Sequence, residues 1–248
     1  MGREKMQQEK AAPLLEVHGL TCRRHGKNLL DAIDFSLYAG ESLGILGFRA
    51  SGRSLLLETL AGTVRCKGSI QLDGVRPGIL RRFYKALGIV TEKPSLFLDL
   101  KGIENIDLIS SLKAVKDTDE VTALLERLEL IPYLKQKAGT LEPGVYQRLA
   151  LACALLNQPK LLLLDDVLHG LDSLSRTLLK KELARFSKDG GTLIWMVHTP
   201  EDLREVQKSA WMEQGKLTFL PPADIASRWK MEALSENGST AEAGERSL

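Results

Sequence analysis

The chain has 248 residues, 44% hydrophobic and 27% charged, the balance of an ordinary globular protein rather than a disordered, collagen-like or membrane-spanning one. A chain of this length buries a large core without disulfide or metal staples. With 34 Lys and Arg against 32 Asp and Glu the net charge is +2, which lacks the basic footprint of a phosphate-backbone binder, so no nucleic-acid partner is expected.

Residues 1–12 are polar, no apolar stretch of signal-peptide length follows, and no run of about 18 apolar residues occurs. A loose N-terminal tail on a cytoplasmic chain is expected. From there short apolar runs alternate with helical stretches. Leu14–Val17, Ile33–Leu37, Ser42–Leu46, Ile70–Leu72, Leu87–Val90, Leu161–Leu164 and Thr192–Val197 read as strands. Ser54–Leu60, Asp119–Leu128, Tyr146–Leu156 and Ser173–Phe186 read as helices. Runs such as LLLL and TLIWMV lack alternation, as strands covered on both faces of a parallel sheet do. The fold class is therefore α/β. Residues 93–140 break the pattern with two helical segments, Ile103–Leu112 and Asp119–Leu130, and read as an inserted helical subdomain. Ser235–Leu248 is a polar tail. Cys22, Cys66 and Cys153 are far apart with no CxxC pair, and read as reduced structural thiols.

Gly47-Phe48-Arg49-Ala50-Ser51-Gly52-Arg53-Ser54 follows an apolar strand and opens a helix. Such a loop aims successive backbone N–H groups and a helix N-terminus at one point, which suits a phosphate chain. It has the form G-x-x-x-x-G-K-S with Arg53 in place of Lys. Ser54 would place its hydroxyl on Mg²⁺, and Arg53 its charge between the outer phosphates. The alternative is a glycine-rich turn without ligand. Asp165-Asp166 ends the LLLL strand, where one carboxylate can hold Mg²⁺ and the next orient a water; an acidic surface turn has the same sequence. His198 ends the next apolar strand, where a plain loop histidine is equally common.

The order of these segments resembles the ATP-binding subunits of ABC transporters over about Leu14–Phe219. LLEVHGLTCRRHGKNLLDAIDFSLYAGESLGILG is similar to the family's first strands, and Gly47–Ser54, continued by Leu55, to its Walker A loop. LEPGVYQRLALACALLNQPKLLLLDD is similar to the signature segment Leu141-Glu142-Pro143-Gly144-Val145, its helix and Walker B. HGLD resembles the D-loop with Asp172, and His198 the switch histidine. Glu92 stands where the family has its Q-loop Gln, and TEKPSLFLDLKGIEN is similar to the loop of bacitracin and lantibiotic-immunity exporters.

The resemblance implies a P-loop NTPase core with a mainly parallel sheet and an N-terminal antiparallel portion. A nucleotide-binding domain over 13–220 would precede a C-terminal helix and loose tail over 221–248. It implies ATP and Mg²⁺ as ligands, with Asp166, His198 and Glu92 catalytic, and Ser54, Asp165 and Glu92 at the metal. Arg24 or His25 would lie on adenine. It also implies head-to-tail homodimers or heterodimers, separately encoded membrane-spanning permease subunits, and a peripheral location on the inner face of the cell membrane. Four departures affect the scheme. Arg53 swaps a compact ammonium for a broad fork. Asp166, for Glu, retracts the carboxylate by about 1.2 to 1.5 Å, and a displacement of ~1 Å can cost about 10²-fold in rate. Glu142 would face phosphate across the dimer, and Pro143 lacks an N–H. Slow hydrolysis is expected. The second reading is a catalytically impaired regulatory or structural partner, and the third a soluble ABC ATPase acting on DNA or the ribosome, which lacks its usual coiled coils or second domain here.

Overall fold

The computed structural model describes residues 12–24, 26–78, 81–113 and 118–232. His25 and the expected tails, Ala12 excepted, lie outside the described residues.

β1 (Leu15–Arg24) and β2 (Lys27–Leu37) form a hairpin, followed by β3 (Ser42–Leu46) and the helix α1 (Arg53–Leu60). β4 (Lys67–Leu72) returns to pair with β1, so β2-β1-β4 make a three-stranded antiparallel sheet. The short α2 (Arg81–Lys85) leads to β5 (Leu87–Val90). Then come α3 (Gly102–Lys113), α4 (Thr118–Arg127), α5 (Pro143–Leu155), β6 (Leu161–Asp165), α6 (Ser173–Lys188), β7 (Thr192–Met196), β8 (Lys208–Glu213) and β9 (Lys216–Phe219). A last helix, α7, covers 222–232. The second sheet has six strands in the order β5-β6-β7-β3-β8-β9, all parallel except the final hairpin.

The non-alternating strands are sandwiched as their sequence requires. Leu162, Leu164, Leu193 and Trp195 face one apolar cluster with α5 and α6, whereas Leu161, Leu163, Ile194 and Met196 face another with α1 and the antiparallel sheet. Adjacent residues of one strand thus serve opposite cores. Between β5 and β6 lies a helical insert containing α3 and α4. Arg127 of α4 fastens it to α6, donating from Nε and Nη2 to the two Glu182 oxygens, each at 2.8 Å.

Several boundaries move. β1 and β2 are longer than their apolar runs, because hairpin pairing extends through the polar ends as far as Arg24 opposite Lys27. The second insert helix ends at Arg127 rather than Leu130, where Glu129 turns left-handed at φ 50°. α5 begins at Pro143 rather than Tyr146, since proline is preset for the first helical turn. β8 and β9 were not among the predicted strands, being short and flanked by charge. Their turn does carry a hairpin signal: Gln214 and Gly215 take φ 48° and 79°, the pair of positive values that a tight hairpin needs.

Candidate nucleotide site

Because β3, β6 and β7 are neighbours running in one direction, the loops that follow them meet at one end of the sheet, the usual ligand end of such sheets. The loop after β3 must be glycine at its ends. A Cβ on Gly47 would lie 2.2 Å from the Met212 carbonyl oxygen, and Gly52, at φ 107°, would drive one to 2.7 Å from the Leu29 carbonyl. Gly52 caps α1 without any side-chain hydrogen bond, and the helix's first turn holds no acidic residue. Its free N–H groups and positive dipole end are left for an anion. The Ser51 Oγ is buried without a hydrogen-bond partner among the described residues.

The loop is anchored from behind. Gly215 donates its N–H to Ser51 O at 2.9 Å, and Asp31 donates to Gly215 O at 2.9 Å. The Phe48 ring stacks on Trp229 at 4.6 Å and meets Trp211 edge-on at 5.6 Å. The Phe48 side chain therefore packs against the two tryptophans, leaving its backbone on the cradle side. Arg49, Ala50 and Ser54 are exposed, and Leu55 is half-buried.

At the centre stands Asp166, left-handed at φ 47°. Its Oδ1 is buried without a hydrogen bond, 3.9 Å from Arg53 Nη1. Arg53 Nη1 in turn donates to the Val197 carbonyl at 2.5 Å. The guanidinium thus lies across the ends of β6 and β7 beside Asp166, because its long fork finds a carbonyl and a carboxylate there. His198 Nδ1 lies 3.6 Å from Asp166 Oδ2. The sequence reading missed His169, whose ring is 4.0 Å from that of His198; the available signal was that VLHG and VHTP follow adjacent strands. Burial, followed by the charge of Asp166, pushes the Asp165 carboxyl up, with Glu92 adding to the effect and Arg53 and Ser54 opposing it. Exposed Glu92 thus faces the same acidic point, on a loop tied to α5 by Gln147 donating to Thr91 O at 2.9 Å.

Leu141–Val145, expected to be the signature segment, lies elsewhere, at the start of α5. Leu141 precedes the cap, Glu142 caps α5 with no side-chain bond, and Pro143, Gly144 and Val145 form the helix's first turn rather than a loop. Gly144 packs against the start of α6, where Asp172 accepts from Ser175 N at 2.8 Å. Arg24 ends β1, exposed, within electrostatic reach of Cys66.

The sequence model of the ABC transporter family matches residues 30–169. An uncharacterised ABC transporter ATP-binding protein of Bacillus subtilis, YdbJ, is 29% identical over 79% of this chain and 64% of its own length. The probable multidrug protein YbhF of Escherichia coli is 29% identical over 83% of this chain and 37% of its own length, so the chain spans less than two thirds of these relatives. The aliphatic sulfonates import protein SsuB 1 of Pseudomonas fluorescens is 32% identical over 78% of this chain and 67% of its own length. In structure, the post-hydrolysis dimer of the ATP-binding cassette MJ0796, bound to ADP and Pi, superposes with a TM-score of 0.73 at 22% identity, covering 84% of this chain and 99% of that one. The chain belongs to the ABC transporter family, and its fold is that of the family's ATP-binding cassette. Among the described residues no helix is long and apolar enough to cross a membrane.

Proposed function

We propose that this chain is the ATP-binding subunit of an ABC transporter. It binds Mg-ATP on Gly47–Ser54, pairs head to tail with a second ATP-binding subunit, identical or different, and hydrolyses ATP slowly. Closure is passed to separately encoded membrane-spanning subunits, against which the chain sits on the inner face of the cell membrane. Residues 13–220 form the working domain, with the insert at about 93–140 turned to the membrane subunits. One observation supports the reading above the rest: an uncapped helix N-terminus, two adjacent carboxylates and a histidine converge at the ends of β3, β6 and β7.

Backbone N–H groups of the loop and α1 take the phosphates. Asp166 orients the attacking water and His198 reaches the outermost phosphate. Arg53 holds Asp166 back by charge, and the shorter Asp carboxylate adds to the loss, so turnover is slow. Among the described residues no three His, Cys, Asp or Glu side chains make a metal cage, which suits a cation shared with phosphate oxygens. Ser54 and Asp165 would hold Mg²⁺ with Glu92 beside it; the ion supplies charge neutralisation of the outer phosphates. Glu142 and Pro143 form the degenerate half of the signature presented to the partner. Glu92 and its loop support a place near the bacitracin and lantibiotic-immunity exporters.

Calorimetry of ATP binding tests this. Arg53→Ala weakens binding, Asp165→Asn weakens it only with Mg²⁺ present, and Asp166→Asn leaves binding intact while removing hydrolysis. Equal loss of binding in both Asp variants contradicts the roles given, and a wild-type chain that ignores millimolar ATP makes it a structural partner instead.

A further inference from the structure

Two cysteines separated widely in sequence meet in the fold. β1 and β4 pair antiparallel with Thr21 opposite Lys67, and Cys22 and Cys66 are the next residue on each side beyond that last pair, Cys66 just preceding β4. Directly opposed residues of antiparallel strands have Cα atoms about 4.5–5.5 Å apart, inside the roughly 4.4–6.8 Å window of a disulfide. The side chains share one environment: Cys66 packs against the apolar cluster that contains Cys22, and Thr59 Oγ1 of α1 lies 3.5 Å from Cys66 Sγ. Neither cysteine is in a disulfide, Cys22 is buried and Cys66 is partly open, so a small oxidant reaches the pair from the Cys66 side. Cys153 belongs to the opposite core cluster. No third metal-binding side chain joins the thiols among the described residues, which leaves redox chemistry as their shared capability.

We propose that Cys22 and Cys66 close a reversible cross-strand disulfide, a redox-sensitive tether joining the end of β1 to the segment that follows the phosphate-loop helix. Hydrogen peroxide is an oxidant of the required class. One thiol sulfur gives two electrons to the O–O bond, which breaks; that sulfur keeps one oxygen as a sulfenic acid and the other leaves as water. The second sulfur then attacks the first, the S–S bond forms, the S–O bond breaks, and the hydroxyl departs with the second thiol's proton as another water. Burial and the facing Cys22 thiol push the Cys66 thiol up to about 11, so closure is slow near neutrality and quickens in alkali. Arg24, the residue expected beside adenine, is two positions beyond Cys22 and within electrostatic reach of Cys66, while Thr59 belongs to α1. The tether therefore pins the adenine side of the site to the phosphate side. That consequence rests on the function proposed above; the disulfide itself does not.

The test treats the full chain with hydrogen peroxide, alkylates the remaining thiols in denaturant, and maps peptides without reduction. A peptide pair joining Cys22 to Cys66 should dominate in wild type and in Cys153→Ser, vanish in Cys66→Ser and on dithiothreitol, and form several-fold faster in alkali. The oxidised chain should melt several degrees higher than the reduced one. Recovery of both cysteines separately modified, or a dominant cross-link through Cys153, overturns the proposal. Mapping of the wild type needs neither nucleotide nor a variant that folds, so a chain that bound no ATP would still show whether the disulfide forms.

Discussion

Gly144 illustrates what one hydrogen atom in place of a methyl accomplishes. A Cβ there would lie 2.2 Å from both Asp172 Oδ2 and Ser175 Oγ, the N-cap of α6 and the first-turn residue whose N–H it accepts. Overpacking costs about 1–3 kcal/mol and a lost cap about 1, so Gly144→Ala should lower stability by roughly 2–3 kcal/mol in urea unfolding; an unchanged midpoint would mean that the two helix ends part freely. A second residue sets a pH dependence. The Lys160 side chain first, and then Arg82, hold the Asp73 carboxyl below its usual value. A depressed folded pKa contributes stability above the unfolded value of about 3.9 and loses it as pH falls through the folded one. Asp73→Asn should therefore cost at most about 1 kcal/mol near pH 7, the pair being exposed, and nothing once the pH has fallen below the depressed folded pKa. A deficit that persisted in acid would point to lost packing. Of the site, the positions of Gly47, Gly52, Ser54, Asp165 and Asp166 were legible in the sequence because they follow from backbone path and strand ends. The direction of the Arg53 fork, the His169 ring on His198 and the meeting of Cys22 with Cys66 were not, since each depends on a neighbour supplied by another strand.

The helical insert meets the core through α4 and α6. Glu182 is 6% exposed and its two oxygens are taken up by Arg127, whose guanidinium is held protonated above its usual range chiefly by that hydrogen bond. Removing one partner of such a pair leaves a buried charge and costs about 3–5 kcal/mol when fully buried. Arg127 is partly exposed, so Arg127→Met should cost roughly 2 kcal/mol in thermal or urea unfolding, and adding Glu182→Leu should recover much of it. If the double variant were as unstable as the sum of the singles, the pair would not be coupled. Elements with continuous apolar runs, β3, β5, β6 and β7, were legible within a residue. Those stabilised by pairing rather than composition, the polar ends of β1 and β2 and the β8–β9 hairpin, were legible only in their turns.

On the scale of the molecule, the parallel sheet separates two apolar clusters, and the Gly47–Ser54 loop sits where the sheet, α1 and the antiparallel layer join. The Gly215 residue spans this junction, its N–H given to Ser51 O and its carbonyl receiving Asp31 N–H. That single residue is a clasp, so the loop cannot loosen without freeing the Gly215 amide to solvent. In native-state hydrogen exchange the Gly215 and Asp31 amides should therefore exchange together, with one opening free energy, and nucleotide that settles on the loop should slow both although it touches neither. Independent exchange at the two amides would show that the clasp is two separate bonds. Deuterium uptake at a β-turn thus becomes a gauge of how firmly the cradle is shut.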